Sequence, residues 1–581
     1  MRVFASPGRL CSMRRISIAA LTLTLGCHAP EYWTFQEQQD KFASEGSDSS
    51  GPAETTADET PTSTAEIGSD GADASAADTT GALDTAPPTG SATDSGDATD
   101  SGDATDTEHG PPVDNPDKPT IESIELPDFV YAAGPVPISV QTLNTGAVLV
   151  TLDGVDAGEL IAAGDGLFTG TLPVHGAIDD GWHDVEIIAR QGPYEDSLPD
   201  GYTVDTPEPG TEAWSQTGPE GSRTNRVAVT PEGDLIEVGQ TEIGGVLRPT
   251  IRKRSGVSGA ELWPEGTITL DPREGAVVDV AVLPDGRMWV AMNVRPQGKD
   301  QRPRIALLDA DGQALGIEVE GTPGRVVRAL AADAEGGCFA VGVAGVMGDW
   351  DIAYWRINAA GVQTLGDTFD YFPPNKAPHS FLDLASDVVI QDEVAWVVGI
   401  SKGKHDPNDP DFLRGVLVPM NVHTGQLTGP VIVAPPADGW PQSAFFGASL
   451  HLEGVLVTGY RCTEACTEYQ IETSRYDVDG VRTWAQREAT TDGLAYGSDV
   501  LLDSQGRALI AGAVTQNGKL RGYVLAREVD AKGPVLFEHW YPGVGPSEAL
   551  GIVRDTYDRI FPAGYITVNA ETQAQITLIH G

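Results

Sequence analysis

From about Val227 onward the chain repeats one local pattern: a polar turn, a short run of alternating apolar residues, and a glycine. PEGDLIEVG reaches Gly239, GGCFAVG Gly342, EVAWVVG Gly399, EGVLVTG Gly459, QGRALIAG Gly512 and DRIFPAG Gly564. A further copy, DGRMWVAM, carries Met292 where the others carry glycine. Alternation with a period of two puts one face of each segment on a core, so the copies predict strands, with the glycine closing each one. About seven copies spaced by roughly 50–60 residues mark an array of similar units rather than one wound sheet.

Each unit divides into four strands. The first gives NRVAV (Asn225 to Val229), LIEVG (Leu235 to Gly239), TIRKR (Thr250 to Arg254) and ELW, ending at Trp263. A later one gives SDVLLD, ALIAG, GYVLAREVD and PVLFEHW, ending at Trp540, and SRYDVDGVRTW ends another at Trp484. Four antiparallel strands per unit predict the blades of a β-propeller, with an open solenoid as the alternative. The chain ends favour a ring. The last unit stops after AQITLIHG without an outer strand, while TEAWSQTG stands unused ahead of the first unit. Glu212 to Ser215 is therefore expected beside Ala574 to Ile579, where it covers an otherwise open edge.

Upstream, residues 119–209 hold shorter alternating strands: PISVQTL, AVLVTLDG, LFTGTLPV and HDVEIIAR, separated by Gly, Asp and Asn turns. This spacing predicts a two-sheet β-sandwich. The unit resembles the immunoglobulin-like domains of bacterial surface proteins, without their antibody-type cysteine pair and with Trp182 opening a late strand. The resemblance implies a spacer module. The expected fold is all-β: a disordered acidic tether, an immunoglobulin-like sandwich and, over 210–581, a seven-bladed propeller of four-stranded blades.

Polar composition takes over toward the N-terminus. Residues 27–118 are rich in Ser, Thr, Ala, Gly and Asp, including TDSGDATDSGDATDT (Thr93 to Thr107). So little apolar surface cannot offset the entropy of ordering, and like charges extend the segment into a tether. Ahead of it, Arg14 and Arg15 precede an apolar run from Ile16 to Leu25, too short to cross a bilayer and suited to a signal peptide over 1–26. Gly26-Cys27 resembles the end of a bacterial lipoprotein signal, although Thr24 and Leu25 depart from its usual pattern. The resemblance implies lipidation of Cys27. His28, not aspartate, follows, which implies outer-membrane or cell-surface placement, with secreted or periplasmic release as the alternative. Met1 and Met13 both remain open as the start.

The formal charge of −48, from 85 acidic and 37 basic residues, excludes nucleic acid as a partner, since phosphate binding needs clustered Lys and Arg. It also calls for a covalent anchor at an anionic membrane surface. Of the five cysteines, Cys462 and Cys466 are close enough for a disulfide in an oxidising compartment, and Cys338 reads as an apolar core residue.

Candidate chemistry is sparse. The sequence contains no His-Glu-x-x-His, Gly-x-Ser-x-Gly or phosphate loop. Asn421-Val422-His423-Thr424-Gly425 resembles part of the quinoprotein repeat signature but lacks its tryptophan. Tyr476 to Trp484 resembles a sialidase Asp box without its serine and with Val478 at its Asp place. The propeller half is closer to non-enzymatic outer-membrane propeller lipoproteins. No cofactor is expected. Calcium is the one weak metal candidate, through Asp406, Asp409 and Asp411 beside His405.

In an up-and-down blade the long connections share one face. They carry Asp349, Trp350, Asp351, Tyr371, Phe372, His379, His405 and Trp440, the candidates for a glycan or protein ligand. The expected function is a monomeric, non-enzymatic binding or scaffold protein, anchored by lipid. The alternative is a glycoside hydrolase or lyase acting on extracellular polymer, or a protein-degrading enzyme, with Asp279 and Asp499 at the channel mouth.

Overall fold

A computed structural model describes residues 118–581, apart from 298, 347–348, 372–380, 404–411, 452–453, 490–492, 530–532 and 544. Everything expected of the signal peptide, Cys27 and the tether lies outside the described residues, as do Phe372, His379, His405, Asp406, Asp409 and Asp411.

Residues 120–204 form two sheets. One runs Thr120–Glu125, Gly134–Leu143, Leu167–Val174, Ile161–Gly164. The other runs Phe129–Val130, Tyr194–Val204, Gly181–Gln191, Ala147–Leu152, Val155–Glu159. Alternation puts Val136, Ile138 and Val140 of one sheet against Val148, Val150, Val185 and Ile187 of the other, all buried. Each such side chain contributes roughly 1.5–3 kcal/mol by leaving water, and the residues of this core all come from between Ile121 and Val204.

The remainder is a succession of four-stranded antiparallel meanders. Ser222–Val229, Leu235–Glu242, Leu247–Arg254 and Thr267–Thr269 make the first. The same order recurs from Glu274–Val282, from Gln442–His451 and from Ala495–Leu502. Between them, one eight-stranded sheet joins two such meanders, those beginning Arg325–Ala332 and Phe381–Gln391, through the parallel pairs Asp349↔Phe381 and Trp350↔Leu382. The first strands of successive meanders pack on one another, and those of the last and the first pack likewise. Apolar cores fill the spaces between neighbouring sheets. Ile236, Val238 and Ile251 meet Val277, Val280 and Met288, and Phe561, Ala563, Ile576 and Leu578 meet Val227 and Leu235. The molecule is all-β and propeller-like.

The last sheet contains Ser547–Arg554, Ile560–Val568 and Glu571–Ile579, and takes its fourth strand from Glu212–Glu220. Glu212 stands opposite Ile579 and Trp214 opposite Leu578, the pairing expected from the chain ends. The strand is longer than expected, continuing to Glu220 opposite Gln573.

The repeated glycine does not end a strand. Leu235–Glu242 passes through Gly239, and Val394–Gly403 through Gly399. Each first strand carries a β-bulge, and the glycine sits beside it, as at Thr224↔Gly239, Val327↔Gly342, Ala385↔Gly399 and Phe445↔Gly459. A Cβ at Gly399 would lie 1.8 Å from the carbonyl oxygen of Leu384, and one at Gly512 2.1 Å from that of Tyr496. The repeat is therefore a packing constraint: the bulge pushes a backbone carbonyl into the place of a side chain. At the same register Met292, opposite Val277, is buried in the core shared with the first meander. Gly399→Ala should cost about 3 kcal/mol through overpacking. A chemical-denaturation midpoint within error of the parent would contradict this.

Two expected boundaries move. The outer strand of the first meander is Thr267–Thr269, not the ELW segment. Trp263 instead turns inward to the core shared with the next meander, because its indole packs against Gly312. Trp484 lies inside its outer strand, Arg482–Ala489, rather than at its end.

Candidate functional site

The bulges point one residue of each first strand toward the ring centre. In the order of the chain, the residues that follow them are Arg226, Asp279, Ala329, Asp387, Gly447, Asp499 and Gly551. After Arg226, acids alternate with small residues. Each acid reaches into the next meander, and the small residue there lets the strands approach. A Cβ on Gly447 would sit 2.6 Å from the Asp499 Cα.

The three carboxylates are bonded alike. One oxygen accepts from the following amide: Val280 to Asp279 at 2.9 Å, Val388 to Asp387 at 2.8 Å, Val500 to Asp499 at 2.8 Å. The other accepts from the neighbouring meander: Leu330 to Asp279 at 2.7 Å, Ala448 to Asp387 at 2.9 Å, Ile552 to Asp499 at 3.0 Å. Arg226 is their counter-charge. Its guanidinium lies 3.5 Å from Asp499 and 4.0 Å from Asp387, and donates to the Leu550 carbonyl. Asn225 adds another link, donating from Nδ2 to the Val277 carbonyl at 2.7 Å.

Burial disfavours charge throughout this group. It pushes Asp279 up to about 6 and Asp387 to about 7, with Arg226 pulling the other way, and it raises Asp499 under the same opposition. Burial alone would lower Arg226, but Asp499, Asp387 and Asp279 together raise it. Asp279 and Asp499 do share one position, as expected. Their carboxylate oxygens are committed to holding strands of neighbouring meanders together. Among the described residues no group of three or more His, Cys, Asp or Glu is placed to hold a metal ion.

The face of the long connections is built differently. Asp349, Trp350 and Asp351 are not in a loop: they open the strand Asp349–Ile357, with Trp350 half-buried and bridged through its backbone to Leu382. The correction follows from the parallel pairing, which draws this end of the strand into the sheet. Tyr371, half-buried, donates its amide to Asp383 Oδ2 at 3.1 Å. Burial pushes the Asp383 carboxyl to about 7, a shift that Asp370 and Asp351 reinforce and the Ser401 hydroxyl and this amide oppose.

Tyr371 and Trp440 are the described candidates outside any strand, and Trp440 sits in the loop ahead of Gln442–His451. Two buried arginines brace that loop by its carbonyls: Arg461 bonds Pro435 at 2.8 Å and Trp440 at 3.3 Å, and Arg414 bonds Pro441 at 2.5 Å. Arg461 also pairs with the fully buried Glu472. Gln442 then ties the loop to the turn closed by the Cys462–Cys466 disulfide, donating to the Glu464 carbonyl at 2.8 Å. Cys338 is free and buried.

Sequence reading missed Arg226, Asp387 and the bracing arginines. The signal for Asp387 was present: VDVAV, SDVVI and SDVLL place an Asp-Val pair at one register in alternate units. For Arg226 there was none, because its position differs from that of every other unit.

No protein family and no curated protein matches the chain. Among solved structures, it is similar to the Pseudomonas aeruginosa periplasmic gluconolactonase PpgL at 12% identity. That match covers 59% of this chain and 95% of that one, with a TM-score of 0.39. The β-propeller domain of the trilobed protease from Pyrococcus furiosus aligns at 10% identity over 63% of this chain and 94% of that one, TM-score 0.37. Drosophila Semaphorin 1a, extracellular domains 1–2, aligns at 12% identity over 63% and 88%, TM-score 0.42.

Proposed function

We propose that this chain is an exported, lipid-anchored surface protein whose seven-bladed propeller, carried behind an immunoglobulin-like sandwich, is a non-enzymatic binding or scaffold module. The seven blades follow from dividing the eight-stranded sheet at its short parallel bridge and counting the closing strand into the last blade. The observation that carries the functional reading is the bonding of the central acids. Asp279 and Asp499, the acids a hydrolase or lyase would use, accept backbone amides from two blades each and face an arginine. A group that holds the scaffold together is poorly placed to cycle a proton during turnover.

The ligand face is then the side that carries Trp440, on a loop pre-ordered by Arg414 and Arg461, which lowers the entropy cost of binding. Trp440→Ala should weaken capture of a glycan or protein identified by array screening at least ten-fold, with the melting transition unmoved. Cleavage of a polysaccharide or protein by the exported chain, lost in Asp499→Asn with the fold intact, would overturn the reading in favour of the enzyme. For the anchor, Cys27→Ala should move the protein from the membrane to the soluble exported fraction. Continued need for detergent would refute it.

A further inference from the structure

We propose that the sandwich is itself a binding module, and that the outer face of its five-stranded sheet takes a neutral polysaccharide by stacking. Three aromatic rings stand in water there: Trp182 is 62% exposed, Phe129 55% and Tyr131 62%. Single exposed apolar residues are ordinary, but grouped ones mark interaction sites.

These three are grouped by the register of the sheet. Phe129 pairs with Thr203, and Thr203 pairs with Trp182, so the two aromatics flank one residue on the same face, about 10 Å apart across two strand spacings. Tyr131, two positions on from Phe129, stacks on it with centroids 6.1 Å apart and planes within 10°.

Trp182 is held in place without being buried. Its Nε1–H donates to Asp184 Oδ1 at 2.8 Å. Its ring lies over Gly201, where a Cβ would come within 2.3 Å of Cζ2. Asp184 is in turn fixed through its amide, which donates to Asp153 Oδ1 at 2.9 Å. An exposed indole normally keeps its rotamer freedom, so one oriented by a hydrogen bond and a missing side chain is prepared for a partner.

The chemistry of that partner follows from the surface. The faces of aromatic rings are electron-rich and attract the slightly positive C–H groups that line one side of a pyranose ring. The same face of the sheet carries Asp184 and Glu186, and exposed Asp205 follows at its end. Carboxylates accept hydrogen bonds from sugar hydroxyls and repel anionic polymers. Two aromatics about 10 Å apart match a disaccharide repeat, which favours a chain over a single sugar. The inference does not depend on the propeller face, and it replaces the expectation that the sandwich is a spacer.

The test is retention of the full exported chain on insoluble cellulose, chitin and amylose, with polygalacturonate as the acidic control. At least one neutral polymer should retain the protein and polygalacturonate should not. Trp182→Ala should weaken that retention at least ten-fold and Phe129→Ala several-fold, both with unchanged melting. Three results would overturn the proposal. One is no retention on any neutral polymer, and another is unchanged retention by Trp182→Ala. The third is a dimer that Trp182→Ala dissociates, which would make the patch a contact between copies.

Discussion

Arg226→Ala is expected to destabilise the propeller by about 3–5 kcal/mol, the cost of stranding buried charge. The guanidinium faces Asp387 and Asp499 at 4.0 and 3.5 Å and also acts on Asp279, and nothing else described in that group carries positive charge. Without it, the only relief for the three acids is to take up protons. Their folded pKa values are already raised, to about 6 for Asp279 and about 7 for Asp387, above the ordinary carboxylate value. A raised folded pKa means that the stability these groups contribute is complete at low pH and is lost as pH rises through the folded value. The parent should therefore lose some stability between about pH 4 and about pH 7, and the variant should lose more. Urea midpoints at about pH 5 and about pH 8 would show the deficit shrinking on acidification. An equal deficit at both values would mean that the arginine acts by packing alone. Asp387→Asn in the same background should recover part of the loss.

Removing residues 212–220 is the second large perturbation. This strand supplies an entire edge of the last sheet, from Glu212↔Ile579 to Glu220↔Gln573. Its side chains also bond within the last sheet and to the neighbouring first meander. Ser215 meets Thr577 at 3.1 Å over a separation of 362 positions, and Trp214 donates to the Val257 carbonyl at 3.0 Å while packing near Phe561. The deletion should expose the backbone of Glu571–Ile579 and uncouple the first meander from the last. The whole propeller should then melt earlier and in a broader transition, well beyond the effect of Trp214→Ala. A deletion that leaves the transition in place would show that the closing strand is dispensable.

Much of this fold was legible in the sequence because strands with one buried face leave a period of two. The closing strand was legible for a related reason: a meander lacking an edge and an edge lacking a meander are both visible as patterns. The centre of the ring was not. Asp279 and Asp499 could be matched by register, but which backbone amides they receive depends on bulges, and a bulge leaves no trace except the glycine beside it. That glycine was read as the end of a strand, since glycine more often ends strands than permits a carbonyl to pass. Trp263 was misplaced for the converse reason. A tryptophan suits an outer strand or a core equally well, and only the space above Gly312 decides between them. The exposed Trp182 was visible as a residue, but its partners come from other strands, Gly201 from the next one and Phe129 from one 53 positions before it.

The closing strand also sets an order of events during synthesis. The earlier meanders are each continuous in sequence and can form as soon as their own residues emerge. The last sheet has to recruit a segment made more than 350 residues before it, kept unpaired throughout. Until then that segment is an open strand edge available to any other chain nearby, including a second copy of this one. Premature termination within Glu571–Ile579 should therefore be more damaging than the loss of so few residues suggests. It leaves two orphaned edges on a nearly complete ring, and the expected product is linked assemblies in which one molecule's early strand completes another's last sheet.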